Sequence, residues 1–294
     1  MVVRRVGLFI LTNLAVLFVL NIILVLLEPW LTSQGISLES ASIWIVALCF
    51  GMGGSLISLA LSKTLAVRST GARIVRQPQN DTERWLVDVV RRQASEAGIG
   101  CPEFAIYESH QPNAFATGAS RNRALVAVST GLLSAMKPKE VEAVIGHEIA
   151  HVANGDMITL TLLQGVLNTF VLVLSRVLGQ VLDRVVFKSN RSYGPGYFIS
   201  VIVLQIVLGV LASMIVMAFS RWREYRADEG GARLAGRSHM IAALETLRRA
   251  THQSDLPESV EAFGISGRVG HGIKALLMSH PPIEDRIKRL TGQG

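Results

Sequence analysis

Three stretches of this chain, residues 6–27, 41–62 and 197–220, carry no charged side chain. A helix needs about 20 predominantly apolar residues to cross the hydrocarbon core of a bilayer, and each stretch is long enough. A fourth, residues 158–182, is apolar but holds Gln164, Asn168 and Arg176. These four runs constrain the fold more than any other feature. They predict an integral membrane protein with two helical hairpins and two polar parts. The composition agrees: 50% of the residues are hydrophobic, 17% are charged and the mean hydropathy is +0.40, too apolar for an ordinary water-soluble enzyme. Arg4 and Arg5 precede the first run, as in a signal peptide. The run is too long for a signal core, however, and Glu28, Pro29 and Trp30 follow it rather than a small-residue cleavage site, so it is expected to be retained.

The runs divide the chain into a first membrane hairpin (1–62), a first polar part (63–157), a second membrane hairpin (158–220) and a second polar part (221–294). Lys and Arg accumulate on the cytoplasmic side of membrane proteins. Arg4 and Arg5 flank the first run; Lys63, Arg68, Arg73 and Arg76 follow the second; Arg221, Arg223 and Arg226 follow the last. The segment 28–40 between the first two runs has no Lys or Arg. Both termini and both polar parts are therefore expected in the cytoplasm. The loop holding Asp183, Arg184, Lys188 and Arg191 runs against this rule; either a modestly charged loop crosses, or the last hairpin does not fully span. The net charge of +7 does not point to nucleic acid, because the basic residues gather at membrane edges, where anionic lipid attracts them. Cys49 lies in a membrane run and Cys101 in a polar part, so no disulfide is expected and a reducing compartment fits.

Within the first polar part, residues 81–97 have a helical apolar stripe through Trp85, Leu86, Val89 and Val90. Residues 104–107 and 124–128 read as short strands. In the second polar part, residues 221–234 and 239–251 read as helices, the glycine-rich stretch 254–272 reads as a loop, and a last helix is expected after Pro281-Pro282. The expected class is α+β, mainly helical.

The chemistry is concentrated in residues 144–153, V-I-G-H-E-I-A-H-V-A. Residues four apart on a helix share a face, so His147 and His151 can put two imidazoles on one metal ion. Glu148 lies beside them, within reach of a water. This is half of a zinc hydrolase site. Average composition would produce H-E-x-x-H by chance in a chain this long on the order of 1% of the time. Pro138 and Glu140 suit the first turn of the helix, and Asn154-Gly155 supplies a stop. The alternative is a core helix whose histidines are satisfied by hydrogen bonds.

A zinc hydrolase site has three protein ligands and one open position. The third ligand must follow the second hairpin. Glu224 and Asp228 are four apart; one can bind metal while the other orients a ligand histidine. Glu224 is the first choice for ligand, against the alternative of a solvated face paired with Arg221 and Arg223.

The His147–His151 motif, the hairpin after it and the segment R-E-Y-R-A-D ending at Asp228 resemble the HtpX group of membrane-bound M48-type zinc metalloproteases. So do the segments N-A-F-A-T-G beginning at Asn113 and S-H-P-P around His280. The resemblance covers essentially the whole chain. It implies a cytoplasm-facing, zincin-type endopeptidase of the bacterial inner membrane that acts on damaged or misfolded membrane proteins. It implies one Zn²⁺ held by His147, His151 and Glu224, with Glu148 as general base and Asp228 supporting a ligand. It also suggests that His280 approaches the metal, to stabilise an oxyanion or to occupy the open position; a plain helix-start histidine is the alternative. Tyr225 is a second candidate for the oxyanion. Asn113 is expected to help bind substrate or simply to serve a turn next to Pro112. Asp156 reads as a helix-end or membrane-boundary residue. The expected partners are the lipid bilayer and protein substrates, with no nucleic acid. A zinc transporter would place its ligands inside the membrane runs, and a prenyl-protein protease would need a larger membrane chamber than four segments offer.

Overall fold

The computed structural model describes residues 33, 51–189, 193–253 and 280–292. The expected membrane run 6–27 and the loop 254–272 lie outside the described residues, and the run 41–62 is described from residue 51 onward. In chain order the elements are α1 (Gly54–Thr70), β1 (Arg73–Ile74), α2 (Asp81–Glu96), β2 (Glu103–Tyr107), β3 (Ala114–Thr117), β4 (Leu125–Ser129), α3 (Thr130–Ala135), α4 (Pro138–Asn154), α5 (Asp156–Val185), α6 (Pro195–Ala235), α7 (Arg237–Gln253) and α8 (Ile283–Thr291). The chain divides into two compact units, residues 1–58 with 159–216 and residues 59–158 with 217–294.

In the first unit the described chain is chiefly the apolar stretches of α5 and α6. Both helices are long and apolar enough to cross a membrane. Phe198, Ile202, Ile206 and Val210 of α6 all point outward. A continuous open stripe of this kind suits lipid rather than water. A Cβ at Gly179 would stand 2.5 Å from Val201 Cγ2, so α5 and α6 approach closely where glycine removes the side chain. The turn between them is tied by Asp183, whose carboxylate accepts the Gly194 N–H at 2.8 Å.

The second unit is built on a four-stranded sheet of order β1-β2-β4-β3. β1 pairs antiparallel with β2, β2 parallel with β4, and β3 antiparallel with β4 in the register Ala114↔Val128 to Thr117↔Leu125. Alternation along β4 supplies both faces of the sheet. Val126 and Val128 join Leu86, Ile145, Ile149 and Leu244 in the main core, while Leu125 and Ala127 pack with Ala105, Tyr107 and Val67. Both faces are thus covered, which is why all five residues of β4 are buried and why the segment reads as an unbroken apolar run.

The sequence expectations for α2, β2, β4, α7 and α8 agree with these elements to within a residue or two. Two differ. Residues 114–117, which the sequence placed in no element, form the strand at one edge of the sheet. Residues 221–234 are not a separate helix but the end of the 41-residue α6: no Gly or Pro stands between Ile199 and Asp228 except Gly209, so nothing stops the helix at Ser220.

Candidate metal centre

Helix α4 starts as its sequence suggests. Pro138 occupies the first turn, and Glu140 accepts a hydrogen bond from the Lys137 N–H at 3.1 Å. Ile145 and Ile149, fully buried, anchor it in the core, which turns His147 and His151 toward α6. The two helices run in opposite senses and touch through glycines. A Cβ at Gly230 would stand 2.3 Å from Ala150 Cβ, and one at Gly231 would stand 3.0 Å from the His147 nitrogen. Only glycine permits this approach, and the approach carries Glu224 and Asp228 to the imidazoles.

His147 Nε2 and His151 Nε2 are 3.1 Å apart. Glu224 Oε2 is 3.4 Å from the first and Glu224 Oε1 is 3.4 Å from the second. For a tetrahedral zinc with bonds of about 2.0–2.1 Å, ligand atoms stand about 3.3–3.4 Å from one another. The triangle of donors therefore has the size of a zinc face. Its chemistry fits too: two imidazoles and one buried carboxylate converge on a single point, a nitrogen and oxygen donor set that suits zinc. His147, His151 and Glu224 are a buried group that can hold a metal ion.

A second layer fixes the ring orientations. His147 Nδ1 lies 3.0 Å from Asp228 Oδ1. His151 Nδ1 lies 2.8 Å from Asp156 Oδ2. Arg286 of α8 forks Asp228 with two hydrogen bonds, Nε to Oδ2 at 2.8 Å and Nη2 to Oδ1 at 2.6 Å. Asp156 reaches His151 because Gly155 closes α4 in the left-handed region, φ 67° and ψ 37°, turning the chain back within one residue.

These contacts dominate the titration of the cluster. Burial works against the imidazolium at His147, but hydrogen bonds to Asp228 and Glu224 outweigh it and raise its pKa to about 9. His151 follows the same pattern, with burial opposed by Asp156 and Glu224 and the net shift upward. Burial would raise the Glu224 carboxyl, yet His147, His151 and His280 hold it far below the usual carboxylate range. Asp228 is also lowered: burial opposes ionisation, and Arg286 and His147 win.

An open cleft of about 120 Å³ lies over the donors; Asn113, Glu148, Glu224, His280 and Arg286 are among its lining residues. The structure brings the sequence-predicted site residues into this region, with the exception of Tyr225. Glu148 is half-buried on the cleft wall. His280 stands at the mouth, its side chain 61% exposed, with Nδ1 2.9 Å from Glu224 Oε2. Asn113 is held by Ser129: its N–H donates to the Ser129 hydroxyl at 3.0 Å and its carbonyl accepts the Ser129 N–H at 2.9 Å. It therefore serves the turn and lines the cleft at once. Tyr225 is elsewhere, with its ring 4.8 Å from the Arg289 guanidinium, and does not line this cleft.

Sequence reasoning missed Asp156 and Arg286. Asp156 was discounted as a helix end; the signal was an acid one residue past a glycine stop and five past His151. Arg286 lies 58 positions from its partner, and nothing local to it announces the pairing.

Residues 80–293 match the sequence profile of peptidase family M48. The chain is 58% identical over 292 residues to the protein named Protease HtpX from Alkalilimnicola ehrlichii, covering 98% of this chain and 97% of that one. It is 56% identical over 289 residues to the Protease HtpX of Thioalkalivibrio sulfidiphilus, covering 98% of each. Among solved structures, that of S. mikatae Ste24p aligns with a TM-score of 0.62 at 15% identity. The alignment covers 96% of this chain and 66% of that one, and shows a shared fold.

Proposed function

The chain belongs to peptidase family M48, in its HtpX group, and from that premise we propose that it is a membrane-bound, zinc-dependent endopeptidase of misfolded or damaged membrane proteins. The observation that carries the reading is the His147–His151–Glu224 donor triangle, sized for zinc, beneath a cleft that Glu148 lines. Zinc bound there would supply Lewis acidity, acidifying a water and polarising a substrate carbonyl.

The residues around it divide the remaining work. Glu148 takes the proton of the attacking water and returns it to the leaving amine. His280, at the mouth of the cleft, donates to the oxygen on which negative charge develops. Asp228 and Asp156 hold the two imidazoles through Nδ1, so that both Nε2 atoms would be available to hold the metal, and Arg286 holds Asp228. Extended substrate pairs with the free edge of β3, whose backbone begins one residue after Asn113 at the cleft rim. In this reading the membrane is the bacterial inner membrane, as the HtpX resemblance implies, and the distribution of Lys and Arg supports a catalytic unit in the cytoplasm. Lipid and protein substrates are the partners in this reading, and nucleic acid has no part in it.

The test is cleavage of an unfolded model protein by the detergent-purified full chain, with and without Zn²⁺. Glu148→Gln is run in parallel, with bound zinc measured for both proteins. Metal-dependent cleavage by the wild type, and equal zinc but no cleavage in the variant, is the expected result. Cleavage by Glu148→Gln at the wild-type rate would sink the assignment of the base. Absence of zinc from both proteins would sink the ligand set.

A further inference from the structure

The helix that carries Glu224 also carries a feature that hydrolysis does not use. The uncharged run 197–220 ends at Ser220, and Arg221, Trp222, Arg223, Glu224, Tyr225 and Arg226 follow. Trp222 is 49% exposed. It packs on Phe219, ring centroids 5.8 Å apart, and the Arg226 guanidinium sits 4.7 Å from its ring centroid. Arg226 is steadied by Asn154 Oδ1 at 3.2 Å. Next to this pair, Arg289 of α8 lies over Tyr225. Tyr225, Asp285, Lys288 and Arg289 line an open depression of about 440 Å³.

Position along the helix gives these residues a setting. At about 1.5 Å rise per residue, Trp222 stands at most about 3 Å and Arg226 at most about 9 Å beyond Ser220. The headgroup layer on one side of a bilayer is roughly 5–8 Å thick. If the uncharged run ends where the hydrocarbon ends, Trp222, Tyr225 and the Arg226 guanidinium lie at headgroup depth. Tryptophan and tyrosine prefer that depth because one end of the ring is apolar and the other wet.

We propose that the depression of Tyr225, Asp285, Lys288 and Arg289, flanked by Trp222 and Arg226, binds the headgroup of an anionic glycerophospholipid. Lys288 and Arg289 are the two cations that line the depression and would meet the phosphate, and Arg226 follows Tyr225 directly along α6. Two carboxylates adjoin them. Glu229 lies 3.5 Å from Arg289 and holds its guanidinium in place. Asp285 is on the wall of the depression and accepts from a headgroup hydroxyl, which favours a glycerol headgroup over choline. The site rests on the reading of residues 197–220 as a membrane span. The site lies on α6 and α8, the two helices that supply Glu224 and Arg286.

The experiment is native mass spectrometry of the full chain in detergent. Phosphatidylglycerol, phosphatidylcholine and phosphatidylethanolamine with identical acyl chains are added in turn. Retention of phosphatidylglycerol at least about fivefold above the other two is expected, given the worth of one basic residue at a lipid surface. The preference should vanish in the double variant Lys288→Gln with Arg289→Gln and weaken in Arg226→Gln, while cleavage of a soluble unfolded substrate in lipid-free detergent stays at the wild-type rate. Equal retention of the three lipids, or a preference that survives the double variant, would overturn the proposal. Displacement of the lipid by excess inorganic phosphate would also overturn it, by making the site one for free anion. Alkaline carbonate extraction of the wild type separates the premise from the proposal: release from the membrane pellet would sink the membrane span itself.

Discussion

At the scale of single residues, the metal centre is a buried set of charges whose cost is offset only if every member keeps its partner. Arg286 illustrates this. Its guanidinium is buried, forks Asp228, and comes within 3.9 Å of Glu224. Arg286→Ala would leave Asp228 buried and less than half satisfied. Breaking a buried pair in this way costs about 3–5 kcal/mol, and loss of a partner behind a metal ligand weakens metal binding by roughly 10–100-fold. Arg286→Ala should therefore lower both thermal stability and zinc affinity, while Arg286→Lys, which keeps the charge but not the fork, recovers part of the stability. Wild-type zinc affinity in Arg286→Ala would show that Asp228 holds His147 unaided. The proton on His147 gives a second prediction. Its pKa is raised from 6.5 to about 9 in the metal-free cluster. A raised pKa stabilises the fold fully below pH 6.5, and that contribution is lost as pH rises through about 9. Zinc must displace the same proton. Between pH 6.5 and 9 the chelator-treated protein should become less stable while zinc affinity rises by up to about tenfold per pH unit. Melting curves and zinc titrations across that range would check both slopes, and a zinc affinity independent of pH would contradict the protonated cluster.

At the scale of elements, the site depends on how closely α4 and α6 approach. Gly230→Ala would put a methyl 2.3 Å from Ala150 Cβ, and Ala150 sits on a helix anchored by Ile145 and Ile149, so it cannot yield cheaply. Overpacking of this kind costs about 1–3 kcal/mol. The larger effect should fall on the site, because α6 must move away from α4 and take Glu224 with it. Gly230→Ala is expected to lose zinc affinity and cleavage together while the isolated loss of stability stays modest; unchanged zinc affinity in this variant would show that Glu224 is placed by other contacts. The element scale also marks what was legible in the sequence. His147, Glu148 and His151 were legible because one helical turn sets their geometry. Glu224 and Asp228 were legible as a pair for the same reason, with Glu224 the first choice for ligand before the resemblance added to it. β3 was missed because all four of its residues are partly exposed, so an edge strand shows none of the alternation that marks a half-buried one. The continuity of α6 was missed because a change from apolar to charged residues reads as a boundary, although the backbone has no reason to break there. Asp156 and Arg286 were missed because their roles depend on a left-handed turn and on a long-range contact, which no local pattern encodes.

At the scale of the whole molecule, the residues of the proposed site come from three separated segments, 147–156, 224–228 and 280–286, all within the unit formed by residues 59–158 and 217–294. The intervening residues 159–216 belong to the other unit. His151 and Glu224 nevertheless lie 3.4 Å apart, so the chain must return to the side it left. If α5 and α6 each cross the membrane, the number of crossings between the two ligands is even, as this contact demands. The loop that runs against the charge rule is consistent with such a crossing, because its charges are partly occupied within the turn: Asp183 accepts the Gly194 N–H and Arg184 donates to the Ser189 carbonyl. The side on which the site lies can be read from one residue. Cys101 is a free, exposed thiol on the second unit. In a Cys49→Ser background it is the sole cysteine of the chain. A membrane-impermeant maleimide should label it in inverted inner-membrane vesicles and leave it unlabelled in intact spheroplasts. Labelling in spheroplasts instead would place the catalytic unit outside the cytoplasm and reverse the orientation argued from Lys and Arg, while leaving the metal centre itself untouched.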